Sequence, residues 1–210
     1  MERAGAVFSM NEKFFDLKKE KQDRMINAAL KVFAQHGYRH ASTDDIVKEA
    51  AISKGLLFHY FGSKLGVYTF IYEYSVRYMT LELKTAVNVK ETDPFEILKQ
   101  MEQARLQALK GYPYMQQFLT RSVSEDVGEV LVAVEELKTA FAETNAKIKA
   151  RMDFSGLPAA VDGDCLLKML DFTRQGLMNE SFRTASFQPD MLFKEIVSYI
   201  DMIKRLAYEK

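Results

Sequence analysis

Residues Ser42–Lys64 read STDDIVKEAAISKGLLFHYFGSK, and this stretch decides the fold. Ser42 and Thr43 can each cap a helix, and Asp44 and Asp45 favour its positive end. Ile46 and Ala50 lie one turn apart on a single face. That helix is over by Ala51. Ser53 then caps a second short helix, Lys54 to Phe61, in which Leu57 and Phe61 share a face. Gly62-Ser63 breaks the chain again, and Ser63 can cap a longer helix from Lys64 to about Val89. Two short helices joined by the turn Ala51–Ser53 make a helix-turn-helix, whose second helix enters the DNA major groove by its N-terminal end. Here that end is Ser53-Lys54-Gly55-Leu56. Its free N–H groups attract phosphate. Lys54 can reach a phosphate or a guanine edge, and Gly55 lets the backbone come close.

Upstream, a helix from Asn11 or Lys18 to Gln35 carries the stripe Ile26, Ala29, Leu30 and Phe33, and Gly37 caps it. Downstream, spacings of three and four dominate and strand-like alternation is nearly absent. Helices are expected near Pro94–Lys110, Tyr114–Val123, Asp126–Met152, Asp162–Ala185 and Pro189–Tyr208, with Asp153–Gly163 as the clearest loop. The fold class is therefore all-α with about nine helices.

The chain has 210 residues, with 29 Lys+Arg against 29 Asp+Glu. This balance excludes a uniformly basic coat for nucleic acid but not a local patch. Glu12–Lys64 holds ten basic and seven acidic residues, so the first third is mildly positive and suits an anion-binding head. One cysteine, Cys165, excludes an internal disulfide framework and a cysteine-rich zinc module, and makes a reducing cytoplasm the simplest compartment. No apolar run reaches the roughly 18 residues of a membrane span. Met1–Met10 lacks the apolar core of a secretory signal and reads as a soluble tail. His36 and His40 are four apart, but Gly37 breaks the helix between them and no third ligand clusters with them, so no metal site is expected. No nucleophile with a nearby base and no phosphate-cradling glycine loop is present, so an enzyme is not expected. No cofactor is implied.

The sequence resembles the tetracycline-repressor (TetR) family of bacterial regulators. The resemblance covers Ile26 to Val67. It rests on IxxAALxxF at Ile26–Phe33, GYRHAST at Gly37–Thr43, DDIVKEAAISKG at Asp44–Gly55 and LLFHYFGSK at Leu56–Lys64. It implies a three-helix DNA-binding domain over residues 1–64 and a helical ligand-binding and dimerisation domain over 65–210. The DNA contacts it implies are Thr43, Ser53, Lys54, Gly55, Leu56, Phe58, His59, Tyr60 and Lys64, the last holding a phosphate. Phe58 stands where the family usually has tyrosine, and it lacks the hydroxyl that bonds phosphate. Ala51 stands at the turn glycine, where a positive φ strains an alanine.

The two C-terminal helices, near 162–185 and 189–208, are apolar on more than one face. Such helices need cover on both sides, so a homodimer through these helices is expected, forming a four-helix bundle. A two-fold dimer sets two recognition helices about 34–36 Å apart, in successive major grooves. The function implied is a ligand-responsive regulator, a repressor released from a palindromic operator by a small hydrophobic or amphipathic effector. A helical interaction module without sequence-specific DNA binding is the alternative. Residues that could line an effector pocket are Tyr68, Tyr72, Met101, Arg105, Phe118, Arg121, Phe141, Phe172, Arg174 and Met178. The arginines among apolar neighbours point to an acyl or other anionic ligand, or else pair with Glu102, Glu125 or Asp171.

Overall fold

A computed structural model describes residues 13–159, 161–182 and 187–208. The expected tail at Met1–Met10 and the expected helix end at Ala185 lie outside these residues. The described chain is all-helical: α1 Lys19–His40, α2 Thr43–Ala50, α3 Lys54–Phe61, α4 Lys64–Ala86, α5 Pro94–Gly111, α6 Met115–Ser122, α7 Gly128–Lys149, α8 Gly163–Ser181 and α9 Pro189–Tyr208. No described helix is long and apolar enough to cross a membrane.

Helix boundaries follow local chemistry. Ser42 Oγ accepts from Asp44 N at 3.1 Å to cap α2. Ser53 Oγ accepts from Leu56 N at 3.2 Å to cap α3, and Ser63 Oγ accepts from Gly66 N at 3.0 Å at the start of α4. Gly37 interrupts α1 with φ 68° and ψ 174°, a backbone open to a residue without Cβ. Helix α4 ends at Ala86, short of the expected Val89. Asn88 forms a turn there: its Oδ1 accepts from Lys90 N, and its own N–H donates to Gln100 Oε1.

The chain packs as two units. One comprises the described residues up to Tyr78 together with Gly111–Phe141, and the other Met79–Lys110 with residues 142 onward. Packing thus divides α4 and α7 within their lengths and separates only the last residue of α5.

In the first unit, α1 buries Met25, Ile26, Ala29, Leu30 and Phe33. Ile46 and Ala50 of α2, Leu57 and Phe61 of α3, and Ile71 of α4 are buried in the same unit. Phe14 is fully buried, with ring centroids 4.9 Å from Phe70 and 5.3 Å from Phe61. The buried Gln22 amide donates to Phe15 O at 2.9 Å and Leu17 O at 2.7 Å, which fastens the turn behind Phe14 onto α1. A second aromatic cluster joins Phe33, Tyr38 and Tyr68 to Phe118 of α6.

In the second unit, Phe95 and Leu109 of α5 meet Leu166 and Leu170 of α8 and Leu192, Ile196, Ile200 and Ala207 of α9. Ions fasten α5 to α9 along its length. Lys204 lies 2.8 Å from Asp93 and 3.0 Å from Glu96, Lys99 lies 2.9 Å from Asp201, and Lys110 lies 2.8 Å from Asp190.

Candidate nucleic-acid interface

The turn between α2 and α3 passes through Ala51 at φ 51° and ψ 52°. This is the left-handed region, costing an L-residue roughly 1–2 kcal/mol. The conformation closes α2, because Ala51 N donates to Lys48 O and Ile52 N to Val47 O, and it turns the chain into Ser53. Leu57 and Phe61 anchor α3 in the core, so its first turn is left at the surface.

On that turn Ser53, Lys54 and Gly55 are exposed and Leu56 is half-buried. A Cβ added to Gly55 would meet nothing within 4 Å. Packing therefore does not require a glycine here, and the space it leaves is on the outside. Lys54 Nζ pairs with Asp44 Oδ1 at 2.8 Å, with both side chains largely in water. Such a pair is worth about 0–1 kcal/mol, so phosphate or a base edge can take the ammonium at little cost. Thr43 is half-buried at the start of α2, and Phe58 is half-buried and His59 exposed on α3.

Two expected contacts are placed differently. Tyr60 is buried, its ring 5.8 Å from Phe14, because α3 turns this position inward beside Phe61. Lys64 is half-buried and folds back over the protein. Its Nζ lies 4.7 Å from the Tyr38 ring centre and donates to Arg39 O at 3.4 Å. Burial pushes the Lys64 ammonium below its usual pKa, and the charges of Glu125 and Glu129 oppose that shift. Both carboxylates belong to one corner that clasps the end of α1. Glu125 Oε1 accepts from Tyr38 N at 2.7 Å, Glu129 Oε1 accepts from Tyr38 Oη at 2.7 Å, and Asp126 lies 3.1 Å from Arg39. No helix-by-helix pattern signals this corner; the nearest sequence signal is the charge run at 125–129.

The ten residues expected near an effector do not come together. Met101, Arg105 and Arg174 line one cavity of about 40 Å³ in the second unit, with Leu98, Leu170 and Ile196 among its apolar walls. Tyr68, Tyr72 and Phe118 are buried in the aromatic core of the first unit. They are spent on one another. Arg121 is exposed beside Gly37 and Glu125, Phe141 is half-buried, Phe172 is exposed and Met178 is buried. In the cavity Arg105 pairs with Glu102, and Arg174 with Asp171 at 2.8 Å. Burial works to raise the Asp171 carboxyl, but the hydrogen bond from Arg174 and the charges of Arg174 and Arg105 bring it below the ordinary carboxylate value. No group of three or more His, Cys, Asp or Glu is placed to hold a metal among the described residues.

A Ser-capped α3 presenting an exposed lysine and glycine after a left-handed turn is the arrangement of helix-turn-helix regulators. Residues 25–68 match the sequence profile described as "Bacterial regulatory proteins, tetR family". Over 46 residues the chain is 52% identical to an uncharacterised HTH-type transcriptional regulator, YuxN, of Bacillus subtilis; the match covers 22% of this chain and 16% of that relative. A TetR family transcriptional regulator from Chloroflexus aurantiacus superposes with a TM-score of 0.61 at 22% identity, covering 94% of this chain and 95% of the other. The regulator PfmR from Thermus thermophilus gives 0.57 at 24% identity, over 89% and 100%. At these identities the two structures establish a shared fold. Residues 25–68 are thus similar to the amino-terminal domain of the tetR family of bacterial regulatory proteins.

Proposed function

We propose that the protein is a homodimeric, effector-responsive repressor that reads a palindromic operator with α3. Residues up to 64 act as the DNA-binding part, and residues 65–210 as the effector-binding and dimerising part. The observation that carries this reading is the outward-facing first turn of α3, where Lys54 and Gly55 are exposed and unneeded by the core. Lys54 reads a base edge or phosphate, Gly55 admits the backbone, and the N–H groups beside Ser53 and Thr43 face phosphates. Leu56, Phe58 and His59 flank the contact.

Dimerisation is supported by two stripes that α8 and α9 leave uncovered. Met169 and Phe172 stand out from α8, and Met191, Met202 and Leu206 from α9. On each helix these positions recur at intervals that keep one face, flanking the buried Leu166 and Leu170 or Leu192, Ile196 and Ile200. An apolar face repeated on two adjacent helices suits a self-complementary two-fold contact.

Two measurements test the reading. Selection of bound duplexes from a random pool should enrich a palindrome, and light scattering should return the mass of two chains. An unenriched pool, or a single-chain mass at every concentration, refutes it.

A further inference from the structure

The charges lining the second unit's cavity are held with very different firmness. Glu102 shows only 6% of its side chain to solvent; it pairs with Arg105 and lies 4.0 Å from Arg174 Nε. Arg174 shows 11%. Its principal partner, Asp171, shows 46%, accepting from Arg174 Nη2 at 2.8 Å and Nε at 3.3 Å and from Gln175 Nε2 at 2.7 Å. A guanidinium this buried needs an anion beside it, since an unpaired charge away from water is costly. Asp171, however, is half in water and recovers its hydration on leaving, so it is readily replaced.

The rest of the lining favours a particular replacement. Leu98, Met101, Leu170 and Ile196 give an apolar wall, and Lys149 joins the two arginines in the lining. Lys149 is exposed at the end of α7, so the firmly held charges are those of Arg105, Arg174 and Glu102. The cavity, about 40 Å³, has room for only a few water-sized groups. That is space for a carboxylate head but not for a long tail without movement of the walls.

We propose that this cavity is the effector site and takes an aliphatic monocarboxylate, whose head group replaces Asp171 on Arg174 while Asp171 swings into solvent. The proposal rests on the effector-responsive reading above. One carboxylate is exchanged for another at the guanidinium, so the head contributes selectivity rather than strength. Affinity comes from the tail against the apolar wall, about fourfold for each buried methylene. A growing tail wedges α5 apart from α8 and α9, the two helices that carry the uncovered stripes.

The test is calorimetric titration of the purified full-length protein, without DNA, with butanoate, hexanoate, octanoate and decanoate and with the matching primary alcohols. The acids should bind with affinity rising about fourfold per methylene, and the alcohols about tenfold or more weakly. Asp171→Asn, which removes the resident competitor at a half-exposed position, should tighten acid binding several-fold. Arg174→Gln should abolish it, and so should the double variant Asp171→Asn/Arg174→Gln, which removes the pair together and leaves no lone buried charge. Melting curves identify the folded variants. Alcohols binding as well as acids, Asp171→Asn weakening the acid, or undiminished acid binding by either folded Arg174 variant would overturn the proposal. Band shifts of the unliganded protein on its selected duplex keep the two readings apart. DNA binding without acid binding sinks the effector site alone, and acid binding without DNA binding sinks the regulator reading alone.

Discussion

Two helix starts in the first unit are built from nearly the same residues and are put to opposite uses. Ser53-Lys54-Gly55-Leu56 opens α3 and Ser63-Lys64-Leu65-Gly66 opens α4. Each serine caps its helix. After that they diverge. Lys54 stands in solvent beside Asp44, while Lys64 lies over the Tyr38 ring. Gly55 has open space where a Cβ would go; at Gly66 a Cβ would fall 1.9 Å from Phe61 O. One start is free to meet a partner outside the chain. The other is clamped to the preceding helix. Composition alone does not separate a binding tip from a structural corner, and what a neighbouring backbone does decides between them.

Substitutions can break this contrast, and the largest effect belongs to Gly66. Gly66→Ala forces α3 and α4 apart and should cost about 3 kcal/mol or more of stability, read by denaturant unfolding. A variant that unfolds at the wild-type midpoint would deny the clamp. Lys54→Ala should leave unfolding unchanged and cost about 1–3 kcal/mol of operator affinity in band shifts. Gly55→Ala separates the two uses by sign: α3 should gain up to about 1 kcal/mol from the better helix former, while DNA binding falls. If DNA binding survives intact, close backbone approach at this tip is not needed. For Lys64→Ala the loss should appear in stability, about 1 kcal/mol from the ring contact, with the salt dependence of DNA binding unchanged. A salt slope flattened by about one would mean that the ammonium turns out onto a phosphate in the complex. Ala51→Gly is the smallest change. It relieves the left-handed alanine but adds unfolded-state freedom, so a net gain of about 0.5–1 kcal/mol is expected in thermal unfolding.

The caps, the turn at Ala51 and the inward faces of α1 to α3 were legible in the sequence because each depends on residues within one or two turns. Phe14 was not. Its burial depends on Phe61 and Phe70, which are remote in the chain, and on Gln22 holding the intervening turn. The pose of Lys64 over the Tyr38 ring was hidden for the same reason, since Tyr38 comes from one distant stretch and Glu125 and Glu129 from another. At the cavity, the pairing of Arg105 with Glu102 and Arg174 with Asp171 was readable as intervals of three on a helix. Which aromatics face a void was not readable. Tyr68, Tyr72 and Phe118 carry the spacing of pocket and core alike, and only assembly shows them packed together.

The division of packing has a practical consequence for anyone grafting the helix-turn-helix onto a different protein. Gly111–Phe141 packs with the amino-terminal helices, and the Phe118 ring lies tilted against Phe33 and edge-on to Tyr68. A chimera cut after Lys64 would strip those rings of their lining and leave a sticky, half-finished module. A transplant that carries α6 and the front of α7 along with the helix-turn-helix would move as a complete part.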